Sequence, residues 1–133
     1  MEGSNVPGGL YRNVDISVKG SNHTPPSYLK VYDRMDKYFH FVEEGPKDNV
    51  LEYISYCHLQ LAKIHPFLDG NGRLARLVLN YNLMKYGYAP VIITSVDRAK
   101  YHSALEKFKV EKNMNDFVVF LEEQELISLK KYY

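Results

Sequence analysis

Between two stretches of helical periodicity lies the run His65-Pro66-Phe67-Leu68-Asp69-Gly70-Asn71-Gly72-Arg73, continuing to Arg76. No other part of the chain constrains the fold as much. Gly70 and Gly72 let the backbone turn where residues with a Cβ cannot. Successive N–H groups can then point inward as an anion-binding nest. A helix opening near Gly72 adds its unpaired N–H groups and the positive end of its dipole. Asp69 is a hard oxygen ligand of the kind that holds Mg²⁺ beside substrate phosphates. Arg73 and Arg76 lie one helical step apart, so both can face the loop mouth, and their guanidinium forks suit phosphate oxygens. His65 is the natural base at neutral pH. These parts suit holding a polyphosphate while a proton leaves an attacking hydroxyl. The bland alternative is a glycine-rich turn whose His and Asp only cap their neighbours.

Other loop chemistries fail on residue type. There is no G-x-x-x-x-G-K-[ST] phosphate loop. Read as an EF-hand from Asp69, the run has Arg73 at a ligand position and Leu74 where the glycine belongs. There is no H-E-x-x-H, and one cysteine cannot build a thiolate metal site.

The pattern around the run is helical. Val14 to Val18 alternates apolar and polar residues and reads as a strand. Lys19-Gly20-Ser21-Asn22 supplies a turn, and Pro25-Pro26 stops further pairing. Ser27 is a candidate cap for a helix with Val31, Met35, Tyr38, Phe39 and Val42 along one side. Gly45-Pro46 ends it. Asp48 is the expected cap of the next helix, with the stripe Leu51, Ile54, Cys57, Leu61 and Ile64. After the loop, Leu74, Leu77, Val78, Tyr81 and Met84 form a third stripe that Gly87 closes. Asp97 opens a helix through Lys107. Asn115 or Asp116 opens the last, with Phe117, Phe120, Leu121 and Ile127. At 133 residues and net charge +1, the chain is one domain with a real core. That balance suggests neither a nucleic-acid nor a membrane surface. Residues 1–8 read as a loose segment and 9–133 as the folded core. The 12 tyrosines read as amphipathic packing residues. Cys57 reads as a small buried hydrophobe. His40 and His58 have no evident partner, and surface or capping roles are expected. With no secretory pattern at the start, a cytoplasmic setting is expected unless an upstream signal has been removed.

The run resembles the Fic-family signature H-P-F-x-[DE]-G-N-G-R-x-x-R at every fixed position. The resemblance continues outside it. Gly9-Leu10-Tyr11-Arg12 resembles the G-x-[YF]-R that opens the family core. Val14 to His23 with Pro25-Pro26 is similar to the flap hairpin and its stop. Leu83 to Pro90 and Tyr101 to Glu106 are similar to the helices that follow. The likeness spans Gly9 to Glu125 and is nearest to stand-alone members related to the animal endoplasmic-reticulum adenylyltransferase.

The resemblance implies an all-α, Fic-type helical core with a short β-hairpin flap near the N-terminus. It implies AMP transfer from ATP to a Ser, Thr or Tyr hydroxyl of a protein, with pyrophosphate leaving. His65 would be the base and Asp69 the Mg²⁺ ligand. Gly70, Asn71, Gly72, Arg73 and Arg76 would bind the phosphates, and Tyr101 and His102 would line the nucleotide pocket. Gly20, Ser21, Asn22 and His23 would dock target backbone. Gly72 fits AMP transfer, since related Doc kinases carry Lys there. Lys109 departs from the Asn that relatives often set against adenine, and it cannot copy an amide's donor–acceptor pattern. No inhibitory [ST]-x-x-x-E-[GN] helix is found, and the helices that usually precede the flap are not seen. The implied partners are a protein substrate, the chain itself through auto-modification, and a separate antitoxin-like helix or an N-terminal inhibitory helix. A homodimer is also compatible. Removal of AMP by hydrolysis, transfer of another phosphate-containing group, and non-catalytic binding remain the alternative readings.

Overall fold

The computed structural model describes residues 10–132, so Gly9 and the loose segment expected over residues 1–8 lie outside them. Five helices follow one another: α1 (Tyr28–Glu44), α2 (Val50–Ile64), α3 (Asn71–Lys85), α4 (Arg98–Glu111) and α5 (Asn115–Tyr132). The architecture is all-helical, and the described residues contain no strand.

Each start has a local cause. The Ser27 hydroxyl accepts from the Leu29 N–H at the head of α1, as a capping serine does. At α2 the cap is Asn49, one residue later than expected, and its side chain accepts from the Glu52 N–H. Asn competes with Asp on nearly equal terms for this position. Gly87, at φ +88, closes α3 by donating to the Met84 carbonyl.

Helix α2 is the hub and packs against each of the other four. Ile54, Cys57 and Leu59 on α2 meet Leu79 and Leu83 on α3, Tyr101, Leu105 and Phe108 on α4, and Phe117, Phe120 and Leu121 on α5. A second cluster joins Val31, Met35 and Tyr38 of α1 to Leu61, Ile64 and Ala75. Cys57 is fully buried, and burial pushes its thiol up to about 11, so it packs as a hydrophobe.

Other sequence expectations fail here, and Phe39 of the expected α1 stripe is half exposed. The buried line of α3 is Ala75, Leu79 and Leu83, while Leu77, Tyr81 and Met84 are largely exposed. Leu74 and Val78 of the expected stripe are partly buried against the second cluster, so the stripe straddles the covered and uncovered faces of the helix. Ile127 is likewise exposed. The flap hairpin expected over Val14 to His23 is not formed. Its alternating residues have no second strand to pair with, so they run as an extended loop closed by a Ser21 N–H to Val18 carbonyl bond.

Candidate functional site

The loop of interest begins where α2 stops. His65 is the C-cap of α2 and sits at φ 53, ψ 63, in the left-handed region. Its N–H still donates to the Leu61 carbonyl at 3.1 Å. Gly70 takes φ +75 and starts α3. Between them the Asn71 side chain staples the turn. Its Nδ2 donates to the Phe67 carbonyl at 2.8 Å, and its Oδ1 accepts from the Phe67 N–H at 2.9 Å. The Asn71 amide is therefore spent on loop shape. What the loop offers an anion is backbone, because the first-turn N–H groups of α3 have no acceptor within the helix.

A residue whose role the sequence did not reveal holds this loop in place. Arg12 is almost fully buried and surrounded by carbonyl oxygens. Its Nε donates to the His65 carbonyl at 2.8 Å, and its Nη1 to Val14 at 3.0 Å. Its Nη2 donates to Pro26 at 2.5 Å and Ile64 at 3.3 Å. Its own N–H reaches the Pro66 carbonyl at 2.8 Å. One guanidinium thus ties the end of α2, the base of the flap and the entry to α1 together. The signal for it was the Gly-Leu-Tyr-Arg segment, which carried no assigned role.

A cleft of about 460 Å³ opens beside the loop. Its walls include His65, Asn71, Gly72, Arg76, Tyr101 and His102, together with Gly20 and Ser21 of the flap. Leu105, Glu106 and Lys109 of α4 complete one side. Asp69, Gly70, Arg73, Asn22 and His23 are outside these walls. Asp69 and Arg73 are exposed beside the cleft. The described residues hold no group of three or more His, Cys, Asp or Glu side chains that could bind a metal. Asp69 is thus a lone carboxylate at the loop, a donor set that suits a cation already carried by phosphates.

Positive charge dominates the cleft. Lys109 is half-buried, and desolvation lowers its pKa. Burial, then Lys109 and Arg12, lower the pKa of His65, so its imidazole is neutral at pH 7 and free to take a proton. Among the described residues, no carboxylate pairs with Arg73 or Arg76. Glu123 pairs with Lys100, and Glu125 accepts from the Ala89 N–H instead. A Cβ built on Gly72 would stand 3.2 Å from Arg76 Nη1. A side chain there would push that guanidinium back by a few tenths of an ångström.

One expected side-chain role changes. His58, expected at the surface or at a cap, is fully buried. It lies three residues from Leu61 and four from Ile54, so it shares the inner face of α2, a signal the periodicity already contained. Its Nδ1 lies 2.8 Å from the Ala75 carbonyl, and its Nε2 lies 2.8 Å from the Tyr101 hydroxyl. A neutral ring that donates from Nδ1 and accepts at Nε2 satisfies both. Burial holds its pKa down at about 4. Tyr101, expected to touch nucleotide, is 4 % exposed. Its ring packs against Phe117 and Phe120, and burial raises its hydroxyl to about 12. It lines the cleft mainly as its floor. His102 is exposed and borders the cleft.

The flap is tied down at its tip. The Ser21 hydroxyl donates to Glu106 Oε1 at 2.6 Å, and the Asn22 N–H donates to Glu106 Oε2 at 2.7 Å. The His23 N–H donates to Ser21 Oγ at 3.1 Å. His23 turns inward, and its Nε2 is buried with no hydrogen-bond partner among the described residues.

Comparison with known proteins agrees with this geometry. The sequence profile described as the Fic/DOC family matches residues 1–83. The chain is 35% identical over 118 residues to "Protein adenylyltransferase Fic" of Drosophila grimshawi, covering 87% of this chain and 24% of that protein. It therefore spans about a quarter of the length of the curated relatives it matches. Among solved structures, Fic-1 (residues 134–508) from C. elegans superposes with a TM-score of 0.80 at 26% identity, over 93% of this chain and 36% of that one. A Fic-domain-containing signaling protein from Bacteroides thetaiotaomicron gives a TM-score of 0.78 at 28% identity, over 92% of this chain and 53% of that one. Helix order, loop geometry and a profile reaching across more than half of the sequence converge, and the chain belongs to the Fic/DOC family.

Proposed function

We propose that this chain is the catalytic core of a protein adenylyltransferase. One observation carries the reading: a neutral His65 and the cation-rich opening turn of α3, with Gly72 and Arg76, share one cleft. At about 460 Å³ it is within the roughly 300–1,000 Å³ of small-molecule sites. The name adenylyltransferase carried by the Drosophila relatives supports ATP as the donor.

The chemistry follows from these groups. The triphosphate sits on the α3 amino end, with its tail on Arg73 and Arg76. Asp69 would hold Mg²⁺ brought in with the phosphates, which would neutralise charge on the leaving group. His65 takes the proton of a Ser, Thr or Tyr hydroxyl. That oxygen forms a bond to the α-phosphorus while the bond from the α-phosphorus to the bridging oxygen breaks. Pyrophosphate leaves, and the AMP ester stays on the protein. Positioning and charge stabilisation carry most of the rate. The flap faces the lip of the cleft, where it would present target backbone to His65. The N–H groups of Asp15 to Ser17, which have no acceptor among the described residues, suit strand addition there.

The test is which phosphorus the acceptor keeps. Incubation with Mg²⁺ and α-³²P-ATP should label protein, including the chain itself, whereas γ-³²P-ATP should leave it unlabelled. Label from the γ position alone would make the chain a kinase and end this reading.

A further inference from the structure

Resting on the proposed AMP transfer, we infer that Glu106 is a positioning residue that sets the flap for target docking by acting as a two-pronged hydrogen-bond acceptor.

The flap has no ladder of its own, since no strand forms from Val14 to His23. An extended loop with so few internal bonds has little reason to keep one shape. What fixes it is a carboxylate on another element. Both Glu106 oxygens are used, one by the Ser21 hydroxyl at 2.6 Å and one by the Asn22 N–H at 2.7 Å. Ser21 Oγ then accepts from the His23 N–H, so a single side chain organises three consecutive flap residues. The Ser21 N–H closes the turn on Val18. The tip is thus fully engaged toward α4. Among the described residues, the backbone left without a hydrogen bond to pair with a target is the arm before it, Asp15 to Ser17.

Location makes the tie functional as well as structural. Glu106 lies one turn after His102 and three residues before Lys109, and all three line the cleft with His65. The flap is consequently held in register with the wall of the nucleotide site. A target strand laid on the free arm is delivered to His65 at a fixed height. Two short hydrogen bonds to one planar acceptor group fix direction as well as distance, which suits this task. Arg12 secures the other end of the same arm through the Val14 carbonyl. The Asp15 carboxylate also accepts from the Tyr28 N–H at 2.9 Å, and of these ties the one to Glu106 is at the cleft.

The substitutions Glu106→Ala, Glu106→Gln and Ser21→Ala separate this role from its alternatives. Gln keeps one oxygen for the Asn22 N–H and offers its amide N–H to Ser21 Oγ, while removing the charge. The acceptor probe is a tagged His65→Ala copy of the chain, titrated against active enzyme with α-³²P-ATP. The second readout is NMR hydrogen exchange at the Asn22 and His23 amides. We expect Glu106→Ala and Ser21→Ala to raise KM for the acceptor copy at least about fivefold, the scale of one hydrogen bond. The Kd of a non-hydrolysable ATP analogue should stay within about twofold. The two amides should lose protection while core amides keep theirs. Glu106→Gln should restore most of the KM and most of the protection. The inference is overturned if Glu106→Gln behaves like Glu106→Ala, which would make charge the relevant property. It is also overturned if the Asn22 amide exchanges freely in the unmodified chain, or if KM for the acceptor copy is unchanged. Should Glu106→Ala fail to fold, Ser21→Ala leaves α4 untouched and decides the matter. If the unmodified chain transfers no AMP, the enzymatic reading fails, and the exchange data alone judge the tie.

Discussion

Acidification should weaken this fold through one buried side chain, His58. The ring is fully buried and held at about 4, against about 6.5 when the chain is unfolded. A folded-state value below the unfolded one means the unfolded chain binds the proton first. Stability is therefore present above pH 6.5 and lost as pH falls toward 4. Linkage with these two values gives a loss of about 2 kcal/mol at pH 5 relative to pH 7.5, rising to about 3 kcal/mol below both. Protonation forces a second N–H against the Tyr101 hydroxyl, whose proton then loses its acceptor at Nε2. Urea unfolding followed by circular dichroism at both pH values measures the loss. His65, His23 and His102 are lowered as well and add in the same direction, while the raised His40 opposes them. The comparison that isolates His58 is therefore His58→Gln. Gln can donate to the Ala75 carbonyl and accept from Tyr101 without titrating. That variant should be weaker at pH 7.5 from lost stacking on Phe117, yet about 2 kcal/mol less sensitive to the pH step. Equal sensitivity in the two proteins would refute the argument.

Other outcomes follow from the same contacts. His65→Ala should cut AMP transfer by about 10²–10⁴ while leaving ATP-analogue binding nearly intact, as read by calorimetry beside a radiolabel assay. Arg12→Lys keeps a charge but loses the fork that reaches the His65, Val14, Pro26 and Ile64 carbonyls. It should cost about 3 kcal/mol in denaturant unfolding and slow transfer further, because buried carbonyls lose their donors. Gly72→Ala should split stability from binding. A helical Gly to Ala change stabilises by about 0.5–1 kcal/mol, but the new Cβ lies 3.2 Å from Arg76 Nη1 and must displace it. The melting temperature should hold or rise while Mg-ATP affinity falls several-fold.

Much of this molecule was legible in the amino-acid order, and the failures have common physical causes. The loop from His65 to Arg76 was readable because its chemistry is local: two glycines, a carboxylate and two guanidiniums need no distant partner to be recognised. Ser27 and Gly87 were readable for the same reason. Long-range partners were not. Arg12 meets the His65 carbonyl across 53 positions, and Glu106 meets Ser21 across 85. Neither bond leaves a periodic trace. On α3 the stripe Leu74, Leu77, Val78, Tyr81 and Met84 holds two residues that pack on the core, Leu74 and Val78, while the fully buried line is Ala75, Leu79 and Leu83. Hydrophobicity alone does not say which of two apolar faces the domain covers. The strand alternation at Val14 to Val18 was present, but alternation needs a neighbouring strand before it becomes a ladder.

His65 has one further consequence, which lies in how variants of this chain would be selected. It takes a left-handed backbone, φ 53, where a residue with a Cβ is disfavoured by about 1–2 kcal/mol and glycine is not. A library screened for heat resistance should therefore enrich glycine at position 65. The most thermostable clones would have traded the proton acceptor for backbone ease, and their melting curves would improve as their chemistry vanished. Stability screens of this domain need an activity gate at that position, because the fold and the reaction ask for different residues there.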